Sequence, residues 1–194
     1  MAAVPLIEES SGGPAGAMVS GLAGLARDAA DAAQLELTAH GRPERRLAIY
    51  PASAGFDLVE ELDYLSARAI EPNVFFNPRF LAPAMPRLED REVRLAVIRD
   101  GDDYRSRLRF LVPYSIERPA VPLGVPVMRT WSSPFGPMGT PLIDRDDPVG
   151  VLDDFLGMLS RPRLNLPKVF VFPDVRMDGP VAALIKTVAE MRKL

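Results

Sequence analysis

Glu92-Val-Arg-Leu-Ala-Val-Ile98 and Tyr104-Arg-Ser-Arg-Leu-Arg-Phe-Leu-Val-Pro-Tyr114, joined through Asp100-Gly101-Asp102-Asp103, decide how this chain is read. Both runs favour extended backbone, and Asp-Gly supplies the positive φ angles that a tight hairpin turn needs. Two antiparallel strands are predicted. Arg105, Arg107 and Arg109 alternate along the second run, so a strand carries all three on one face. Three guanidinium groups there can grip a phosphate- or carboxylate-bearing ligand. The same pattern also suits a solvated face, a charge-protected sheet edge, or pairing with acids such as Glu92 and Asp103.

Upstream of the hairpin, Arg46-Leu-Ala-Ile-Tyr50 reads as a strand stopped by Pro51. Asp57 stands as a helix N-cap with Glu60 at the capping-box offset, and Leu58, Leu62, Leu65 and Ala69 trace one helical face to about Ile70. Asn77-Pro78 starts a second helix, which Pro83 and Pro86 keep short. Downstream, residues 125–131 form a strand, residues 132–141 an irregular proline- and glycine-held loop, and Asp147-Pro148 opens a third helix bearing Leu152, Phe155, Leu156 and Leu159. Lys168-Val-Phe-Val-Phe172 reads as a buried strand. A last helix from Pro180 buries Val181, Leu184, Ile185 and Val188. The expected fold class is α/β (α+β), a mixed sheet flanked by helices.

Residues 1–42, rich in Ala, Gly and Ser, read as a flexible tail, and residues 43–194 as the folded domain. With 26 acidic and 23 basic residues interspersed, the chain carries no electrostatic footprint for nucleic acid. It has no cysteine, which excludes disulfides, a thiolate nucleophile and a cysteine zinc site. No apolar run is long enough for a membrane span, and no signal peptide stands at the start. The expected location is cytoplasmic.

Few residues offer chemistry. His40 is the single histidine and has no companion for a metal site. Ser132 and Ser133 lack a nucleophile elbow. Asp144-Arg-Asp-Asp147 reads as helix capping rather than a cation loop, and Asp100, Asp102 and Asp103 as a solvated turn; no metal is expected. Trp131, Phe135 and Met138 either line a pocket or pack against the sheet or a second lobe. Arg129 and Trp131 remain weak ligand candidates beside the three arginines. Glu60, Glu61 and Asp63 read as ordinary helix surface.

Two words, Glu71-Pro-Asn-Val-Phe-Phe-Asn-Pro-Arg-Phe-Leu81 and Gly139-Thr-Pro-Leu-Ile-Asp144, together with the element order, resemble the N-terminal half of the CelD-like, two-lobed GNAT proteins linked to cellulose or exopolysaccharide synthesis. The resemblance spans roughly residues 46–194. It implies a GNAT-like sheet that lacks its last strands, and acetyl-CoA or another acyl-CoA as donor of the full enzyme. It also implies a second GNAT lobe, in the same or another chain, or a homo-oligomer. In a working lobe, an Arg or Gln followed by x-x-Gly-x-Gly or Ala holds the donor's pyrophosphate at a helix N-terminus. The corresponding stretch here, residues 129–139, has prolines in place of donors, and acids follow it. The expectation is thus a non-catalytic lobe that binds no cofactor itself, serving acceptor binding or structural support. The alternative is a freestanding ligand- or protein-binding module with a degenerate GNAT fold.

Overall fold

The computed structural model describes residues 37–40, 45–88, 91–101, 106–118 and 124–194. Strands β1 (Leu37–His40), β2 (Arg45–Pro51), β3 (Arg94–Asp100), β4 (Arg107–Glu117), β5 (Val127–Thr130) and β7 (Phe170–Val171) lie side by side in that order, and the short β6 (Leu142–Ile143) pairs with β4. The first five pair antiparallel, whereas β5 and β7 run parallel. Four helices flank the sheet: α1 (Val59–Arg68), α2 (Pro78–Leu88), α3 (Pro148–Leu159) and α4 (Pro180–Arg192). The chain is therefore α+β, with a mixed, mostly antiparallel sheet.

Alternation along the strands separates two cores. Leu47, Ile49, Ala96, Ile98, Val112 and Tyr114 face α3 and α4, where they meet Leu152, Phe155 and Val188. Ala48, Tyr50, Leu95, Val97 and Leu111 face α1 and α2, where they meet Leu62, Leu65, Leu81 and Met85. Apolar side chains on both faces explain why β2 and β3 read as continuous hydrophobic runs. Arg99 crosses from β3 to α1, with Nε and Nη2 on the Glu61 carboxylate at 3.0 and 3.1 Å and Nη1 on the Tyr50 hydroxyl at 3.0 Å.

The hairpin of β3 and β4 forms as expected, and Gly101 takes a positive φ of 99°; residues 102–105 lie outside the described residues. Ile98 pairs with Phe110 and Arg99 with Leu108, so Arg109 is the extra residue of a β-bulge. Asn77 caps as predicted, its Oδ1 accepting from Arg79 N at 3.1 Å, and α2 runs eleven residues with Pro83 and Pro86 inside it.

Several expectations are corrected. Asp57 does not cap α1: its N–H closes a 3-10 turn on Ala54 O, and Leu58 precedes the helix without a side-chain cap. Lys168–Phe172 is not a buried strand; only Phe170 and Val171 pair, both half-buried, and β7 is a sheet edge. Leu37–His40 was expected within a tail but extends the sheet, with Leu37 opposite Ile49 and His40 opposite Arg46. The remainder of the proposed tail, residues 1–36 and 41–42, lies outside the described residues.

The two cores share one sheet, so damage to either unfolds both. Phe155→Ala and Leu62→Ala, both at wholly buried positions, are each expected to lower the unfolding free energy by about 3 kcal/mol. Urea unfolding followed by fluorescence and by far-UV circular dichroism checks this: the two probes are expected to coincide, and separate transitions would contradict it.

Candidate functional site

The arginine face predicted on β4 is present in part, and its charge is already matched. Arg105 lies outside the described residues. Arg107 Nη2 donates to Asp144 Oδ2 at 3.1 Å, and Arg109 Nε donates to Asp100 Oδ2 at 2.6 Å and its Nη1 to Asp146 Oδ2 at 3.2 Å. Arg68, arriving from α1, donates to both Asp144 oxygens at 3.3 Å and to Asp146 Oδ2 at 2.5 Å. The Tyr64 ring lies under the Arg68 and Arg107 guanidinium groups, 5.7 and 5.0 Å from its centroid. Three cations thus meet three carboxylates, with Asp144 wholly inaccessible at the centre. The partners of Arg107 and Arg109 among the described residues are Asp100, Asp144 and Asp146, whereas the anticipated Glu92 pairs with Arg94 and Asp103 lies outside the described residues. The bulge at Arg109 and the turn after β6 bring these groups together.

Burial opposes the charged form of Asp144. The Asp146 N–H, the Arg68 hydrogen bond and the charges of Arg107 and Arg109 outweigh it and hold the carboxyl below its ordinary value. Among the described residues, no group of three or more His, Asp or Glu side chains is arranged to hold a metal ion.

Asp147 does cap α3: at a φ of 54° its Oδ1 accepts from Gly150 N at 3.1 Å. Arg45 bridges Asp147 and the buried Asp154, at 2.8 Å to each. The N-terminus of α3 is therefore already complemented by a carboxylate of the chain itself.

Between β5 and β6 the chain leaves the edge of β4 and returns. Trp131 is 2% exposed and packs 6.4 Å from Phe76, in the core on the α1/α2 side. Arg129 lies on β5, with Nε 3.6 Å from Glu117 Oε1. Ser132 Oγ meets Asp174 Oδ2 at 3.0 Å, and Gly139 lies so close to the Pro173 carbonyl that a Cβ would collide with it. The loop after β5 thus packs closely against residues 173–174, just beyond β7. Asn73 ties this loop to the chain ahead of α2, donating to Met138 O at 3.1 Å and to Thr140 O at 2.8 Å. Ser133 and Gly136 pair across a tight turn that leaves Phe135 69% exposed.

The sequence reading did not find the cleft between α1 and the start of α2, about 640 Å³ in volume. Asp63 and Ser66 come from α1, Asn77 and Arg79 from the start of α2, and Val74 and Phe80 supply apolar surface. Asp63, read as ordinary helix surface, lies 3.5 Å from Arg79. The available signal was the word Glu71–Leu81, most of whose residues line or brace this cleft.

Comparison with protein-family models, with curated proteins and with solved structures finds no match to this chain.

Asp144→Asn is expected to cost about 2 kcal/mol near neutral pH, because it removes the charge-assisted hydrogen bonds of the inaccessible carboxylate and leaves the half-buried Arg68, Arg107 and Arg109 only Asp146 and Asp100. A carboxyl held low in the fold contributes fully above its unfolded value of about 4, and the contribution is lost as pH falls through the folded value. Urea unfolding from neutral to acid pH checks this. The wild-type chain is expected to lose stability steeply below about pH 4, and the Asn variant more gently; equal curves would contradict the assignment.

Proposed function

We propose that this chain is the non-catalytic lobe of a GNAT-type, CelD-like acyltransferase of polysaccharide-related function. In that reading it acts on the acceptor side while a second GNAT lobe holds acetyl-CoA or another acyl-CoA. The observation that carries the reading is the N-terminus of α3. The resemblance assigns pyrophosphate to that end, where Asp147 instead caps Gly150 and pairs with Arg45. A pyrophosphate there would meet a carboxylate at the distance of a hydrogen bond and would have to displace both contacts.

With β1 and the two-residue β6 set aside, the order β2, α1, α2, β3, β4, β5, α3, β7, α4 supports the family half of the reading, since it repeats the nine-element order on which the resemblance rests. The two resembling words also meet in space, through Asn73 Nδ2 donating to Thr140 O at 2.8 Å. A second reading, a freestanding binding module, is favoured by the cleft at α1 and α2, whose wall is mostly apolar with a few polar groups and which needs no other lobe to exist.

Antibody capture of the native polypeptide, followed by intact mass and size-exclusion chromatography, separates these readings. The lobe reading predicts either a polypeptide of about twice a single domain's mass or a 21.2 kDa chain that elutes with a second acyltransferase lobe. A 21.2 kDa chain eluting as a lone monomer would contradict it.

A further inference from the structure

We propose that the cleft between α1 and the start of α2 binds one unit of a neutral, hydroxyl-rich ring, a pyranose, across the Asp63–Arg79 pair. The volume, about 640 Å³, lies in the usual range for small-molecule sites. The chemistry of the wall selects the ligand. Asp63 and Arg79 carry opposite charges 3.5 Å apart, so the cleft presents no net charge.

A phosphate drawn to Arg79 meets the Asp63 carboxylate beside it, and an ammonium drawn to Asp63 meets Arg79, so neither ion gains what an unpaired site would give. An aliphatic chain would strip water from Asp63, Arg79 and Asn77 without replacing their hydrogen bonds. A pyranose satisfies both requirements. Its vicinal hydroxyls donate to Asp63 and accept from Arg79 and from the Asn77 amide nitrogen, whose Oδ1 is already engaged by Arg79 N. Its C–H face covers Val74, 67% exposed, and Phe80.

The wall is also held before any ligand arrives. Phe80 is braced edge-on by Phe75, with ring centroids 5.6 Å apart, and Asn73 fastens the intervening 3-10 turn to Met138 and Thr140. A preformed site spends little of its binding energy on ordering. Calling the ring the acceptor rests on the function proposed above, whereas binding itself does not.

The test therefore uses this chain alone, without donor or second lobe. Amide NMR spectra of the full chain are recorded with methyl glycosides of glucose, galactose, mannose and N-acetylglucosamine at tens of millimolar, and with inorganic phosphate and glycine as probes of the charged alternatives. At least one glycoside is expected to shift the amides of residues 63–67 and 73–80 saturably. Asp63→Asn and Arg79→Gln, both on the surface, are expected to weaken that binding about tenfold each with the rest of the spectrum unchanged. Absence of saturable shifts with all four glycosides would overturn the proposal, as would shifts produced there by phosphate or glycine instead. Glycoside binding that both variants leave intact would also overturn it. Binding by a chain that proves to be a lone monomer would leave this proposal standing and remove the lobe reading.

Discussion

A carboxylate with no access to water must be matched where it stands, and Asp144 is such a carboxylate. Its match comes from Arg68 on α1 and from Arg107 and Arg109 on β4, so one buried charge fixes a helix, a central strand and the turn after β6 relative to one another. The backbone follows the same path: Ile70 N donates to Ile143 O and Arg145 N to Arg68 O. The end of α1 is thereby sealed to the end of β6, and the chain beyond it must turn where the cleft opens.

Two surfaces border this buried group, the N-terminus of α3 and the cleft at α1 and α2. On the α3 side, Asp144 and Asp146 are matched by arginines, and Asp147 takes the capping position that an anionic ligand would need. On the α1 side, the arginines are turned inward to Asp144, which leaves the cleft beyond them with only the exposed Asp63–Arg79 pair. The first surface is already satisfied by the chain; the second keeps polar groups available to a ligand. This contrast is the physical basis of the acceptor-side role proposed above.

Much of the fold was legible in local sequence because local physics decides it. The hairpin follows from two apolar runs around Asp-Gly, and α2, α3 and α4 follow from proline at the first helical position behind Asn77, Asp147 and Gly179. Failures occurred where tertiary contacts override local preference. Asp57 has the chemistry of a cap, yet the preceding 3-10 turn uses its N–H and shifts the helix start to Val59. Leu37–His40 has little to mark it among alanines, and its partner strand creates it. The arginine face was visible as an alternation, but its partners come from distant parts of the chain: Asp144 and Asp146 are more than thirty residues away from Arg107 and Arg109. The cleft was invisible for a related reason, since Asp63 and Arg79 acquire meaning only when α1 and α2 are packed together.

The central claim is that the N-terminus of α3 is closed to a donor's pyrophosphate by the chain's own carboxylates, and titration of the chain with acetyl-CoA while following the Gly150 and Val151 amides tests it most directly. The account predicts no saturable shift at these amides. Saturable binding centred on them, with Asp147 displaced from its cap, would contradict the account and make this chain a donor site in its own right.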